Sequence, residues 1–340
     1  MTSFEGQSTP VTNAKRTYTS PRKRRQSNNI KNIILTNRDL SVLYMLSTLR
    51  FMTSTQILIY LNIDPESSTA TKMRHRLRSL FDHNYIDRIA DPKGRIEGGG
   101  SRPTIYALGD AGADLLTAPP YNVERGGVYW TAKNRNVTDS RFIHHTLQTS
   151  AFMINVMVAC RVRGDLVVGD EDVILENATQ FHKQSDTSLR GWKLPYLHDS
   201  QTDYARLVPD RMFYIEREED HRRKYFYLEI DRGTMPVKTT KNRSSIQKKI
   251  TLYHYSARHR LHLKHFCYEH FGTVLFVTTS DERVSNMIAV TQEVLGSRGW
   301  RRVLFTSQKA IDATIVSGGT LFDTQWRTGA DGEMTTLLAG

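Results

Sequence analysis

Between residues 33 and 118 the apolar positions mostly fall three or four apart, the spacing of one face of a helix. Thr36 is placed to cap a helix on which Leu40, Leu43, Leu46 and Leu49 share a side. Thr53 and Gln56 have the spacing of a capping box for a second, short helix ending near Leu61. After a turn over 62–67, a third helix is predicted over 68–83. Its core stripe is Met73, Leu77, Leu80 and Phe81, at i, i+4, i+7 and i+8. Two short strand candidates follow, 85–89 and 104–108, around a turn over 91–103 rich in glycine and charge; 110–116 returns to helix.

Residues 119–138, with Pro119, Pro120, Gly126, Gly127 and several Asn, read as a linker. A long helix over about 139–162 then turns Phe142, Leu147, Ala151, Ile154 and Val158 inward. His144 and His145 near its start lack a second ligand at i+4, so packing or capping is their expected role. Beyond it, 166–168 and 173–175 are short strand candidates, and 207–215 and 225–230 are stronger ones joined by the polar stretch 216–224. A helix over 244–258, a buried strand over 274–278, a helix over 281–295 and a last strand over 303–305 complete the pattern. From Trp326 the chain is small and polar, and 326–340 is expected to be a flexible tail. The fold class is α+β or α/β: a winged helix-turn-helix over 33–118, then an α/β domain over 139–325.

Charge sharpens this picture. The 340 residues carry 47 Lys and Arg against 35 Asp and Glu, a formal +12. Residues 1–32 lack an apolar pattern and hold seven of the bases against one acid, so they read as a disordered basic arm with Arg22, Lys23, Arg24 and Arg25 at its centre. Such an excess favours a polyanion, nucleic acid before an anionic membrane. No apolar run is long enough for a membrane span, the N-terminus has no secretory pattern, and two cysteines make no disulfide scaffold. The expectation is a reduced, cytoplasmic protein.

In a winged helix the third helix enters the major groove of double-stranded DNA. Arg74 and Arg78, four apart, can reach bases or phosphates, with Thr71 and Lys72 at the helix entry and His75 beside them. Lys93, Arg95 and Arg102 charge the wing, and the arm adds sequence-independent phosphate attraction. Protein docking is the competing use of such a module, since the domain itself is nearly neutral.

Further on, Pro209-Asp210 lies in one strand and Glu229-Ile230-Asp231-Arg232-Gly233-Thr234 ends the next. A period of two puts Glu229 and Asp231 on one face, and an antiparallel partner brings Asp210 near Glu229. Carboxylates so placed repel unless a cation neutralises them, which points to Mg²⁺ held by Asp210 and Glu229 or to a basic partner. The plainer alternative is a charged strand edge paired with Arg211 and Arg232.

The Pro-Asp followed by Glu-x-x resembles the PD-(D/E)XK nucleases. The resemblance implies that Asp210 and Glu229 hold Mg²⁺ and that a lysine two residues after the Glu positions or activates water. Here Asp231 stands at the lysine's place. Lys248 and Lys249, on the next helix near Gln247 and Tyr253, are the candidates for a migrated lysine, with Lys248 taken into the candidate site. The missing lysine argues against catalysis and leaves open a domain that kept the fold and a metal.

The two halves together resemble the replication-relaxation family of plasmids and integrative elements, which includes mobilisation-protein-C-like relaxosome accessory factors. The likeness rests on Leu35-Thr36-x-Arg38-Asp39-Leu40, Arg76-Leu77-Arg78-x-Leu80, Tyr106-Ala107-Leu108 with Ala111-Gly112-Ala113, Pro209-Asp210, 228–234, Tyr253 and Leu275-Phe276-Val277-Thr278. It implies an accessory protein that binds origin-region DNA and helps a relaxase, coupling ATPase or replication initiator open or nick it, a homodimer being one arrangement. A Mg²⁺-dependent nickase and a winged-helix transcriptional regulator are the alternatives. His259, His262, His265 and His270 with Cys267 read as a solvated or phosphate-facing cluster. Their H-x-x-H-x-x-H run differs from the triplet of rolling-circle relaxases, and no Walker A sequence is present.

Overall fold

The structure, a computed structural model, describes residues 33–90, 102–123, 130–169, 174, 191–198, 201–238, 244–266, 270–296 and 299–339. The basic arm, the wing turn with Lys93 and Arg95, and Cys267 lie outside the described residues, as does the strand candidate 173–175 apart from Ile174. The chain mixes helices and strands in an α+β fold. It divides into two compact units, Met1–Thr55 with Glu66–Ser140, and Gln56–Pro65 with Arg141–Gly340. Among the described residues no helix is long and apolar enough to cross a membrane.

In the first unit, α1 (Asn37–Leu49) starts where expected. The Thr36 backbone N–H donates to Asp39 Oδ2 at 2.7 Å, and Asp39 N–H returns a bond to Thr36 Oγ1 at 3.3 Å. β1 (Met52–Thr53) leads into α2 (Ser54–Tyr60), which carries the chain into residues 56–65. α3 (Ser68–Asp82) is capped by Ser67 and buries Met73, Leu77, Leu80 and Phe81, the stripe expected from spacing. β2 (Ile86–Ile89) and β3 (Ile105–Leu108) form with β1 a small antiparallel sheet in the order β1-β3-β2, and α4 (Asp110–Thr117) follows. The span expected to be a linker contains a further helix, α5 (Trp130–Arg135). Its Asn134 is buried and accepts the Arg50 Nε–H at 2.8 Å, so this helix is packed.

The second unit is built on α6 (Ser140–Arg163) and a seven-stranded sheet. The strands are β4 (Leu166–Gly169), β7 (Arg211–Arg217), β8 (Arg223–Ile230), β9 (Thr273–Thr278), β10 (Val303–Ser307), β11 (Trp326–Thr328) and β12 (Met334–Thr335). They lie in the order β12-β11-β10-β9-β8-β7-β4, with β8, β9 and β10 parallel and the other neighbours antiparallel. Helices α7 (Ile246–Arg258) and α9 (Asp281–Leu295) bridge the parallel strands, as parallel pairing requires. A short helix, α8 (Leu261–Phe266), follows α7.

The period of two sorts the sheet's faces. Met212, Tyr214, Tyr227, Val274, Phe276 and Phe305 join Ile250 and Tyr253 of α7 and Met287 of α9 in one core. Phe213 and Phe226, of opposite parity, stack at 4.9 Å on the other face, where Phe152 of α6 meets Phe213 at 6.2 Å.

Four expectations are corrected here. Phe142 is 40% exposed, because the buried stripe of α6 runs instead through Ile143, Leu147, Ile154 and Val156. The strand expected over 207–215 is broken at Pro209-Asp210, between β6 (Gln201–Leu207) and β7; proline has no N–H to give a ladder. β6 pairs with β5 (Trp192–His198) in a hairpin that lies against α7, in a stretch between 176 and 206 for which the sequence predicts no strand. The last strand is not β10, and 326–340 is not a loose tail. After α10 (Gln308–Val316) and a turn of 3₁₀-helix over Leu321–Asp323, β11 pairs with β10, Trp326 is fully buried edge-on to Phe152 at 6.3 Å, and Leu337 is also buried.

Burial of this indole makes a firm expectation. Trp326→Ala should cost about 3–5 kcal/mol in chemical denaturation, the usual loss for a large core aromatic. A loss below about 0.5 kcal/mol, the size of a surface change, would return 326–340 to a frayed end.

Candidate functional site

Two places collect functional chemistry, one in each unit. In the first, α3 exposes Thr71, Lys72, Arg74 and His75, while its apolar stripe is buried. Thr71, Arg74, His75 and Arg78 stand at i, i+3, i+4 and i+7, one polar face. Arg78 is half-buried, pairs with Asp82 at 2.9 Å and lies over the Phe81 ring. Arg102, just before β3, is half-buried. The helix is held in this rotation by Arg76, whose Nε–H donates to Asp39 Oδ1 at 3.0 Å and whose Nη2 donates to Asp39 Oδ2 at 2.7 Å. Burial pushes the Asp39 carboxyl up, but the Arg76 and Thr36 bonds outweigh it and leave it below the usual carboxylate range.

In the second unit, a cavity of about 260 Å³ opens at the carboxyl end of β8, lined by Arg141, His145, Asp210, Glu229, Arg232 and Lys249 among others. Ligands of open sheets with parallel strands characteristically bind at such strand ends. Asp210 and Glu229 do come together. The register pairs Arg211 with Leu228, the Asp210 N–H donates to the Leu228 carbonyl at 3.0 Å, and Ile230 N–H donates to Asp210 Oδ2 at 2.7 Å. The Asp210 side chain thus takes a bond the ladder would otherwise make. His145 Nε2 lies 3.1 Å from the same Oδ2, so this histidine, expected only to pack or cap, belongs to the centre.

Glu229 is 2% exposed and faces α7. Tyr253 OH donates to its Oε1 at 2.7 Å, and Lys249 Nζ donates to its Oε2. Lys249 and Tyr253 are four apart, so they share a helix side. Lys248 is not among the residues lining the cavity; its backbone N–H bonds Ser245 Oγ at 3.0 Å. The ammonium at the centre is therefore that of Lys249. Its signal was in the sequence: Ile246, Ile250 and Tyr253 set the buried phase of α7, and position 249 falls inside that phase while 248 falls outside it.

Asp231 is engaged elsewhere. Its Oδ2 accepts the Thr278 hydroxyl at 2.6 Å and the Arg283 Nε–H. Its Oδ1 accepts Arg283 Nη2 at 3.0 Å and the Gly233 N–H at 3.2 Å. Two arms of the guanidinium and a turn opened by Gly233 (φ +76°) commit both oxygens, so Asp231 is a strut beside the centre. Arg232 donates to the Arg141 carbonyl at 2.9 Å.

The charges are finely set. Burial, with Asp210 beside it, lifts Glu229 to about 7 against the pull of Lys249. Burial also works against Asp210, but the His145 bond and the Lys249 charge keep it below its usual value. The Asp210 bond raises His145, and Glu229 and Asp210 raise Lys249 despite its burial. Hard carboxylate oxygens suit Mg²⁺. Asp210 Oδ1 takes no hydrogen bond among the described residues and is open to such an ion, whereas both Glu229 oxygens are held by Tyr253 and Lys249, so Glu229 would have to exchange one of these partners to join it. Among the histidines of the 259–270 run, His262 is buried edge-on to Phe271 and His259 lies tilted against Tyr255.

A family model described as replication-relaxation matches residues 43–266, a span that takes in α3, Asp210, Glu229 and Lys249. No curated protein and no solved structure matches the chain.

Glu229 and His145 both hold protons more tightly in the folded chain than in the unfolded one. Their contribution to stability is complete below pH 4.5 and falls as pH rises through about 7. Asp210, lowered from 3.8, acts in the opposite sense and below this window. The unfolding midpoint of the wild type should therefore drop more between these pH values than that of Glu229→Gln; parallel curves would remove Glu229 as the titrating group.

Proposed function

Given that the chain belongs to the replication-relaxation family, we propose that it is a DNA-binding accessory protein of plasmid or element replication or mobilisation. In this reading α3 lies in the major groove. The observation that carries it is the polar face of α3, with Thr71, Lys72, Arg74 and His75 exposed and the helix locked from behind by Arg76 and Asp39. The element order α1–β1–α2–α3–β2–β3 is that of a winged helix. Lys72 supplies a phosphate contact, Arg74 and His75 reach base edges, and Arg22, Lys23, Arg24 and Arg25 add affinity without sequence preference. The second unit then engages a relaxase, coupling ATPase or replication initiator on the bound DNA.

Lys72→Ala with Arg74→Ala should leave the fold intact and abolish site-specific footprints. In a salt titration it should lower the slope of log affinity by about 0.9, the one phosphate contact of Lys72. An unchanged footprint would remove α3 as the reading helix.

A second reading is favoured by one specific observation: Lys249 delivers to Glu229 the ammonium that the sequence lacks two residues downstream. Asp210, Glu229 and Lys249 then form the acid–acid–base trio of a Mg²⁺-dependent nickase. Asp210 and Glu229 would hold the ion, which supplies Lewis-acid polarisation of a phosphoryl oxygen when bound. Lys249 pulls Glu229 toward its ionised form against burial and offers its ammonium to developing negative charge, and His145 keeps Asp210 oriented. Supercoiled plasmid with Mg²⁺ should be nicked by the wild type and by neither Asp210→Asn nor Lys249→Met. Persistent supercoils with the wild type would leave the centre as a binding site only.

A further inference from the structure

A second cleft, about 940 Å³, lies at the other end of the same sheet. It is walled by the last residue of β7, the first residues of β8 and β9, and the approach to β10, so most of the length of β8 separates it from the Glu229 centre. Seven of its 19 lining residues are Arg or Lys and none is Asp or Glu.

Charge balance inside this cleft is incomplete. Arg217 and Arg222 share the single carboxylate of Asp220, at 3.5 and 3.2 Å. Arg223 pairs with Glu216 at 2.6 Å, a carboxylate that also faces His221. Arg301 reaches Asp331 and Glu333. Lys224 and Arg302 have no carboxylate at all among the described residues: Lys224 Nζ donates to the Ala339 carbonyl at 3.0 Å, and Arg302 Nη1 donates to the Phe271 carbonyl at 2.6 Å. Lys224 is half-buried, and burial without a counter-charge holds its ammonium below the usual lysine value. Cations kept uncompensated in a concave site favour an anion.

The other lining groups narrow the class of anion. Thr335 and Thr336 also line the cleft, and half-buried Tyr225 contributes an aromatic ring, while Phe271 behind it is packed into the core. Hydroxyls and cations receive phosphate oxygens, whereas rings receive bases, the combination found where single strands are bound. The volume lies at the upper end of small-ligand pockets, more than one mononucleotide fills. A duplex is too wide to enter a cleft of this size. We propose that this cleft binds two or three nucleotides of single-stranded nucleic acid, with backbone phosphates on Lys224 and Arg302. The inference stands apart from the duplex contact on α3, and it would survive failure of that reading.

Fluorescence anisotropy with a labelled 12-nucleotide oligo-dT and with a labelled duplex tests it, using the full chain. Lys224→Gln with Arg302→Gln should weaken oligo-dT binding about tenfold and reduce its salt slope by about 1.4, two single-strand contacts' worth. Duplex binding should stay within about twofold. Arg222→Glu, at a highly exposed side chain (82%) and so harmless to folding, should weaken oligo-dT in the same direction. Lys72→Ala with Arg74→Ala should lose the duplex and keep oligo-dT. Unchanged oligo-dT affinity in both cleft variants, each verified by its thermal melt, overturns the proposal. So does loss of oligo-dT only in the α3 variant, or competition by dTMP as strong as that by the unlabelled oligonucleotide, which would make the site one for a free nucleotide.

Discussion

Glu229 sits in a strand whose neighbours on both faces are aromatic and aliphatic, and its negative charge must be answered inside the protein. An ion pair in such a place contributes little net stability, yet leaving either partner alone costs about 3–5 kcal/mol. That asymmetry dictates the surroundings. α7 has to present Lys249 and Tyr253 to the strand, which fixes the helix's rotation, and Ser245 fixes where the helix begins. Asp210 adds a second negative charge one strand away, and His145 answers it from α6. A loop, two strands and two helices are thereby tied to one carboxylate.

The same physics operates in the first unit with different residues. Asp39 is buried at the start of α1, where the helix dipole and Thr36 favour an anion, and Arg76 closes the balance from α3. Because Arg76 is spent on this contact, the outward side of α3 is left to Thr71, Lys72, Arg74 and His75. In both units a sequestered acid sets the rotation of the helix that carries the chemistry.

Much of this was legible beforehand, for identifiable reasons. α1 announces itself by a capping residue, α3 by a regular apolar stripe, and β8, α7 and β9 by a change of period between them. The proximity of Asp210 to Glu229 followed from antiparallel pairing alone. What escaped depends on partners remote in sequence. β5 and β6 mix polar residues with Pro195, so no alternation marks them. Trp326 looks like part of a polar end until β10 is available to pair with it. His145 looks like any helix-start histidine until Asp210 is placed, and choosing Lys249 over Lys248 required the phase of α7, set by packing against the sheet.

The excursion of the chain through Gln56–Pro65 bears on how the protein can be dissected. These ten residues belong to the larger unit, where the Gln56 amide donates to the Leu147 carbonyl at 2.8 Å and Arg161 donates to the Tyr60 carbonyl at 3.0 Å. A fragment starting at Arg141 would strip α6 of both ties. Neither half is therefore a contiguous cassette. Any attempt to transplant one of them into another protein has to carry this borrowed loop along, for instance by circular permutation.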